Sequence, residues 1–185
     1  GKKVFADKKK KDQFILLKSL LQAYSTSDIP PNKLFNYEKM AKFFAISDLV
    51  DGSHGLLISN IRFYFNPVTG LIEPIGREWD AHRYKTISTL AYNNADILFK
   101  KLFDDNLFFK KYIGQLERLT KPEYLNEFFT KNKTELRNKL QILYTDEPFY
   151  YFSEEYFYNN QIFAANKLSL KKSNLNIYHE ILDDS

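Results

Sequence analysis

The sequence predicts an α+β fold that is mostly α: a helical domain carrying one central β-hairpin. Three observations lead there. Apolar residues recur at three- and four-residue spacing along most of the chain, which is the mark of helices with one buried face. One stretch, residues 61–75, instead alternates with period two across a turn that contains proline and glycine. Of the 185 residues, 44% are hydrophobic and 17% aromatic, enough for a single core burying about 70% of the unfolded surface.

The first segment, residues 1–31, holds the basic cluster Lys8, Lys9, Lys10 and Lys11. Phe14, Ile15, Leu17, Leu20, Leu21 and Tyr24 then follow helical spacing. Four lysines oppose the positive end of a helix dipole, so they are expected in or before a frayed first turn. They read as a solvated leader or as a contact to phosphate or an anionic surface. Pro30 and Pro31 break the chain. Asn36 is the expected N-cap of a helix over residues 37–50. Its face of Met40, Ala41, Phe43, Phe44, Ile46, Leu49 and Val50 is rich enough for the core. Asp51, Gly52 and Ser53 end it.

In the hairpin, Ile61, Phe63 and Phe65 alternate with Arg62, Tyr64 and Asn66. Pro67 presets φ in the turn and Gly70 supplies positive φ. Pro74 has no N–H to donate, so it should face an edge or a bulge. From residue 95 the pattern is helical again. A short helix over 95–103 precedes one capped by Asp104 or Asp105, with Leu107, Phe108, Tyr112, Ile113 and Leu116 inward. Thr120 and Glu123 have capping-box spacing and open a long helix through Leu125, Phe128, Phe129, Leu136, Leu140 and Leu143. Ser153 caps a last helix containing Tyr156, Phe157, Ile162, Phe163 and Ala164. The main domain is thus expected over 32–168, with a loose polar tail over 169–185. The chain opens without Met and reads as a piece of something longer.

Composition also excludes some chemistry. With no cysteine there is no disulfide scaffold, Cys nucleophile, iron–sulfur cluster or thiolate zinc site. A net charge of +4 is small for a nucleic-acid binder, and none is expected as a partner. No apolar run approaches the roughly 18 residues of a membrane span. The run Phe149, Tyr150, Tyr151 and Phe152 lacks interleaved cations and reads as core or as a protein interface. The residues Asn132, Lys133 and Thr134 form a glycosylation sequon.

The densest set of polar residues lies around the hairpin: Asp48, Asp51, His54, Asn60, Glu73, Glu78, Asp80 and His82. A hairpin returns the chain to its starting level, so Asn60 before it and Asp80 after it should share one end. An amide and a carboxylate oxygen there are hard donors, suited to Mg²⁺ held together with phosphate oxygens. Each also has a structural reading. Asn60 can cap the strand, Asp80 can pair with Arg62, Arg77 or Arg83, and His54 can be a satisfied loop histidine.

The run from His54 to Ile75, His-Gly-Leu-Leu-Ile-Ser-Asn-Ile-Arg-Phe-Tyr-Phe-Asn-Pro-Val-Thr-Gly-Leu-Ile-Glu-Pro-Ile, followed by Trp79-Asp80, resembles the signature of the spore-coat CotH kinase family. The likeness covers residues 36–143 and is most specific over 60–80. It implies the C-lobe of an atypical protein kinase, a Mg²⁺-dependent phosphotransferase using Mg²⁺ (or Mn²⁺) with ATP on a protein substrate, in a bacterium, at the cell envelope or outside the cell. Asn60 matches the family's metal-binding Asn, and Asp80 the aspartate with the metal-holding role of the kinase DFG motif. The family places its basic Asp before the glycine. His54 stands there in this chain, with Asp51 three residues away as a substitute. Before Asn36 there is no glycine-rich phosphate loop and no strand lysine, so the isolated chain is expected to be inactive. The alternative is a non-catalytic module, a degenerate lobe whose aromatic helices bind a protein partner.

Overall fold

A computed structural model of the chain describes residues 7–77, 90–91 and 97–183, with side chains as far as residue 169. The fold is mostly α with one two-stranded antiparallel sheet. In chain order the elements are α1 (Lys8–Ser25), a 3₁₀ turn at Pro31–Lys33, α2 (Tyr37–Val50) and a second 3₁₀ turn at Ser53–Leu56. They continue with β1 (Arg62–Asn66), β2 (Leu71–Ile75), α3 (Ile97–Phe103), α4 (Asn106–Leu119), α5 (Pro122–Asp146) and α6 (Glu154–Asp183).

Local chemistry sets the boundaries. Asp7 caps α1, its carboxylate accepting from the Lys10 amide at 3.2 Å, so the lysine cluster forms the first helical turn instead of preceding it. Asn36 caps α2 as expected, taking the Lys39 amide at 3.2 Å. Asp105, not Asp104, caps α4 through the Phe108 amide at 3.0 Å. The capping box expected at Thr120 is absent. Thr120 ends α4 with its hydroxyl on the Leu116 carbonyl at 2.8 Å, and Lys121 is the N-cap of α5 with Pro122 next. Proline at the first helical position gives up an N–H that would have no helical partner there anyway. The last helix does not stop at Ser169 but runs on to Asp183.

The core forms around α2, which packs on α4 and α6. Phe44 is its centre, with edge-on or tilted contacts to Phe99, Phe103 and Phe108 at centroid distances of 5.2, 4.9 and 6.3 Å. Met40, Tyr112 and Leu116 are buried in the same cluster. Leu107, expected inward, is exposed, and Phe128 and Ile162 are exposed too. Leu107 and Phe128 adjoin the buried stripes Phe108–Tyr112–Leu116 and Leu125–Phe129, and Ile162 lies midway between Asn160 and Ala164 of the buried stripe Asn160–Ala164–Leu168. A rotation of about 100° for Leu107 and Phe128, and of about 200° for Ile162, takes them off those stripes.

The hairpin pairs Arg62 with Ile75, Phe63 with Pro74 and Phe65 with Ile72. Ile72 is buried, and its backbone turns away from β1, donating to the Leu34 carbonyl at 2.8 Å and accepting from the Asn36 amide at 3.0 Å. Pro74, two residues on, presents its nitrogen on that same outer side. Its missing N–H therefore costs no bond to β1, as the sequence required. Phe63 anchors the sheet on Phe35 and Phe99.

Candidate functional site

The loop joining α2 to β1 carries most of the sequence-derived candidates. Asp51 ends α2 in the left-handed conformation, φ 51° and ψ 48°. A short polar side chain tolerates this conformation. The chain then tightens into the Ser53–Leu56 turn, and the Asn60 and Ile61 amides both donate to the Leu57 carbonyl, at 2.8 and 2.9 Å. Arg62 fastens the loop to the strand by donating to the Ser59 and Ile61 carbonyls at 2.7 and 2.8 Å.

His54 and Asn60 meet inside this loop. The Asn60 amide nitrogen lies 3.0 Å from the His54 carbonyl oxygen and 3.0 Å from its ring Nε2. An amide nitrogen only donates, so Nε2 accepts and the ring proton sits on Nδ1. This pair fixes which way the Asn60 amide faces. Its oxygen is the acceptor left over, taking the Ser59 hydroxyl at 3.1 Å on one lone pair. The same bond occupies the His54 nitrogen that a general base would use.

Asp51 is not part of this cluster. Its carboxylate, 8% exposed, takes the Tyr156 hydroxyl of α6 at 3.0 Å. Burial pushes its carboxyl above the ordinary range, against the hydrogen bonds from Tyr156 and Ser53. Burial likewise pushes the Tyr156 phenol up to about 12. Asp80 and Trp79 lie outside the described residues. The hairpin register ends at Arg62 with Ile75, so Asn60 lies two residues before the open end of the hairpin. Among the described residues no three His, Cys, Asp or Glu side chains gather to hold a metal. The Asn60 oxygen fits a hard cation as one ligand of a set.

Sequence reasoning missed a buried polar layer beside the loop. Asp48, 5% exposed, takes the Tyr112 hydroxyl at 2.5 Å on one oxygen and the Ala91 amide at 2.8 Å on the other. Burial pushes its carboxyl up to about 7, partly offset by those two bonds, with the neighbouring Asp51 charge adding to the rise. From α6, Asn160 donates to the Leu49 carbonyl at 3.2 Å, and Gln161 donates to those of Leu119 and Lys121 at 2.8 and 3.0 Å. The Leu49 and Leu119 carbonyls lie at the ends of α2 and α4, where they have no partner within their own helix, and the Lys121 carbonyl, the N-cap of α5, also accepts from the Tyr124 amide at 3.0 Å. Asp48 belongs to the polar set around the hairpin, but its partners Tyr112 and Ala91 are 64 and 43 residues away. Tyr112 has the periodicity of an ordinary core residue, and nothing in the sequence announces what its hydroxyl binds.

Comparison with models of protein families, with curated proteins and with solved structures finds no match to this chain. Among the described residues, no helix is long and apolar enough to cross a membrane.

Proposed function

We propose that this domain is a kinase-like lobe of the CotH type, which holds Mg²⁺ and nucleotide phosphates at the open end of its hairpin and serves transfer of a phosphoryl group to a protein. The observation that carries the reading is the orientation of Asn60. His54 holds the amide nitrogen, which leaves the oxygen as the available ligand beside the open end of the hairpin. In this reading Asn60 and Asp80 supply the metal's protein oxygens, and His54 positions Asn60. Asp51 steadies the loop against α6 through Tyr156. The cation, when bound, neutralises phosphate charge.

The test is Mn²⁺ binding in the presence of ATP, followed by electron paramagnetic resonance, on the chain and on Asn60→Ala and Asp80→Ala. Binding lost in both variants supports the reading. Binding unchanged in both overturns it. Transfer of label from γ-labelled ATP is not expected from the chain alone, given the lack of a glycine-rich phosphate loop before Asn36.

One observation favours the non-catalytic reading. At the corner between α5 and α6, Phe149 is 98% exposed and Tyr151 79%. Aromatic side chains are the commonest anchors of protein interfaces, and clustered exposed apolar residues mark binding surfaces. In that reading, Phe149→Ser with Tyr151→Ser abolishes partner binding. It leaves thermal stability unchanged, because both rings already stand in solvent.

A further inference from the structure

A concave surface lies at the tip of the hairpin, away from Asn60. It is an open groove of about 700 Å³ between the start of α1 and the hairpin tip. Leu16 on one side, and Phe65, Pro67 and Val68 on the other, give it an apolar floor. Lys8 and Lys9 stand on its rim with Asp12.

Two features make this a built surface and not a stray gap. Val68 is 91% exposed, yet its backbone is fixed. The Val68 amide donates to the Asn66 side chain at 3.0 Å, and the Gly70 amide closes the turn on the Asn66 carbonyl at 2.8 Å. Gly70 takes a φ of 70°, which a side chain would strain. A large apolar side chain is thus held out in water by a rigid turn, ready to bind without further ordering. The charge on the rim is likewise uncommitted. Asp7 is engaged by Lys10, through its amide and at 3.7 Å through its ammonium. Lys8 and Lys9 have no ion pair among the described residues.

We infer that the groove between α1 and the hairpin tip docks an extended segment of a partner protein that carries acidic and large apolar side chains. Lysines on the rim select for acid, and the floor of Leu16, Phe65 and Val68 takes the apolar residues. The shape favours a peptide over a lipid surface. A bilayer needs a broad apolar face, whereas Phe14, Ile15 and Leu16 are consecutive and project 100° apart around α1, and the groove has walls on both sides. The inference stands whether or not the domain transfers phosphate, because the groove shares no residue with the Asn60 loop.

The experiment is selection from a random peptide library displayed on phage, against the immobilised chain. Fluorescence anisotropy with the selected peptides follows, on the chain and on two variants, Lys8→Glu with Lys9→Glu and Val68→Ser. All three substituted side chains are exposed, and circular dichroism confirms that the variants are folded. The expected result is enrichment of peptides mixing Asp or Glu with Leu, Ile or Phe. Their affinity should fall by about tenfold or more in each variant and should decrease with salt for the chain itself. No enrichment, enrichment of basic or purely apolar peptides, or selected peptides indifferent to both variants overturns the inference. So does lysine-dependent sedimentation with phosphatidylserine vesicles when no peptide binds.

Discussion

Asp48→Asn changes one buried atom pair and should reshape how stability depends on pH. In the folded chain burial carries this carboxyl from its ordinary 3.8 to about 7. The folded state therefore holds the proton more tightly than the unfolded state. The stability this provides is complete below the ordinary value and is lost as pH rises through 7. At about 1.4 kcal/mol per pH unit, the loss between pH 4 and pH 8 is about 4 kcal/mol. Asparagine cannot ionise, yet it keeps both contacts. Its oxygen still accepts from the Ala91 amide, and its nitrogen can donate to the Tyr112 hydroxyl oxygen, reversing that bond. Urea unfolding followed by far-ultraviolet circular dichroism at pH 4, 6 and 8 measures the difference. The two proteins should lie within about 1 kcal/mol of each other at pH 4, since the hydrogen bonds are preserved. At pH 8 the variant should be more stable by about 3–4 kcal/mol. Asp51, raised by burial as well, leaves the variant a residual slope of the same sign. Profiles that run parallel from pH 4 to pH 8 would refute the reasoning and place the Asp48 carboxylate in contact with solvent.

Further substitutions probe other parts of the frame. Asp105→Ala removes the cap of α4 and strands the Tyr37 hydroxyl, which donates to it at 2.7 Å; thermal unfolding should show a loss of about 2–3 kcal/mol, against about 1 for Tyr37→Phe. Glu73 behaves oppositely to Asp48: Lys39 at 2.5 Å and the Asn66 amide hold its carboxyl below the usual range. Its contribution is present above the ordinary carboxylate range and is lost as pH falls through its lowered value, so Glu73→Gln should flatten the acid limb of the stability profile, and an unmoved acid midpoint would contradict the pairing. Phe44→Ala should cost about 3–5 kcal/mol by calorimetry; a loss under about 1 would mean that the ring is not central to the core.

What was legible in the sequence was local. The alternation over 61–66, the Pro67 and Gly70 turn and the Asn36 cap each depend on residues a few positions apart, and the structure forms all three. The outer placement of Pro74 followed from its missing N–H alone. Errors came where two local signals competed. Thr120 and Glu123 have capping-box spacing, but Pro122 fits the first helical position better, and the Thr120 hydroxyl bonds back to α4. The end of α6 was read from polarity, although no proline or glycine interrupts residues 154–183 and Leu168, Leu175 and Leu182 keep the spacing of one face. In the candidate site, the meeting of His54 with Asn60 was within reach of sequence because six residues separate them. The turn of Asp51 toward Tyr156, 105 residues on, could come only from packing.

Asn36 has a consequence for the order in which the molecule opens. Its side chain starts α2 by holding the Lys39 amide, while its backbone amide donates to Ile72 and the Ile72 amide donates to Leu34. One residue thus joins the first turn of the central helix to the outer strand of the sheet, 36 positions away. Strand β2 cannot peel off without freeing the Asn36 amide, and α2 cannot fray from its start without disturbing the bridge to β2. Helix start and strand edge are therefore one cooperative unit for opening. In deuterium exchange, the amides of Asn36, Lys39 and Ile72 should lose protection together, with one free energy, although they belong to elements that look separate along the chain.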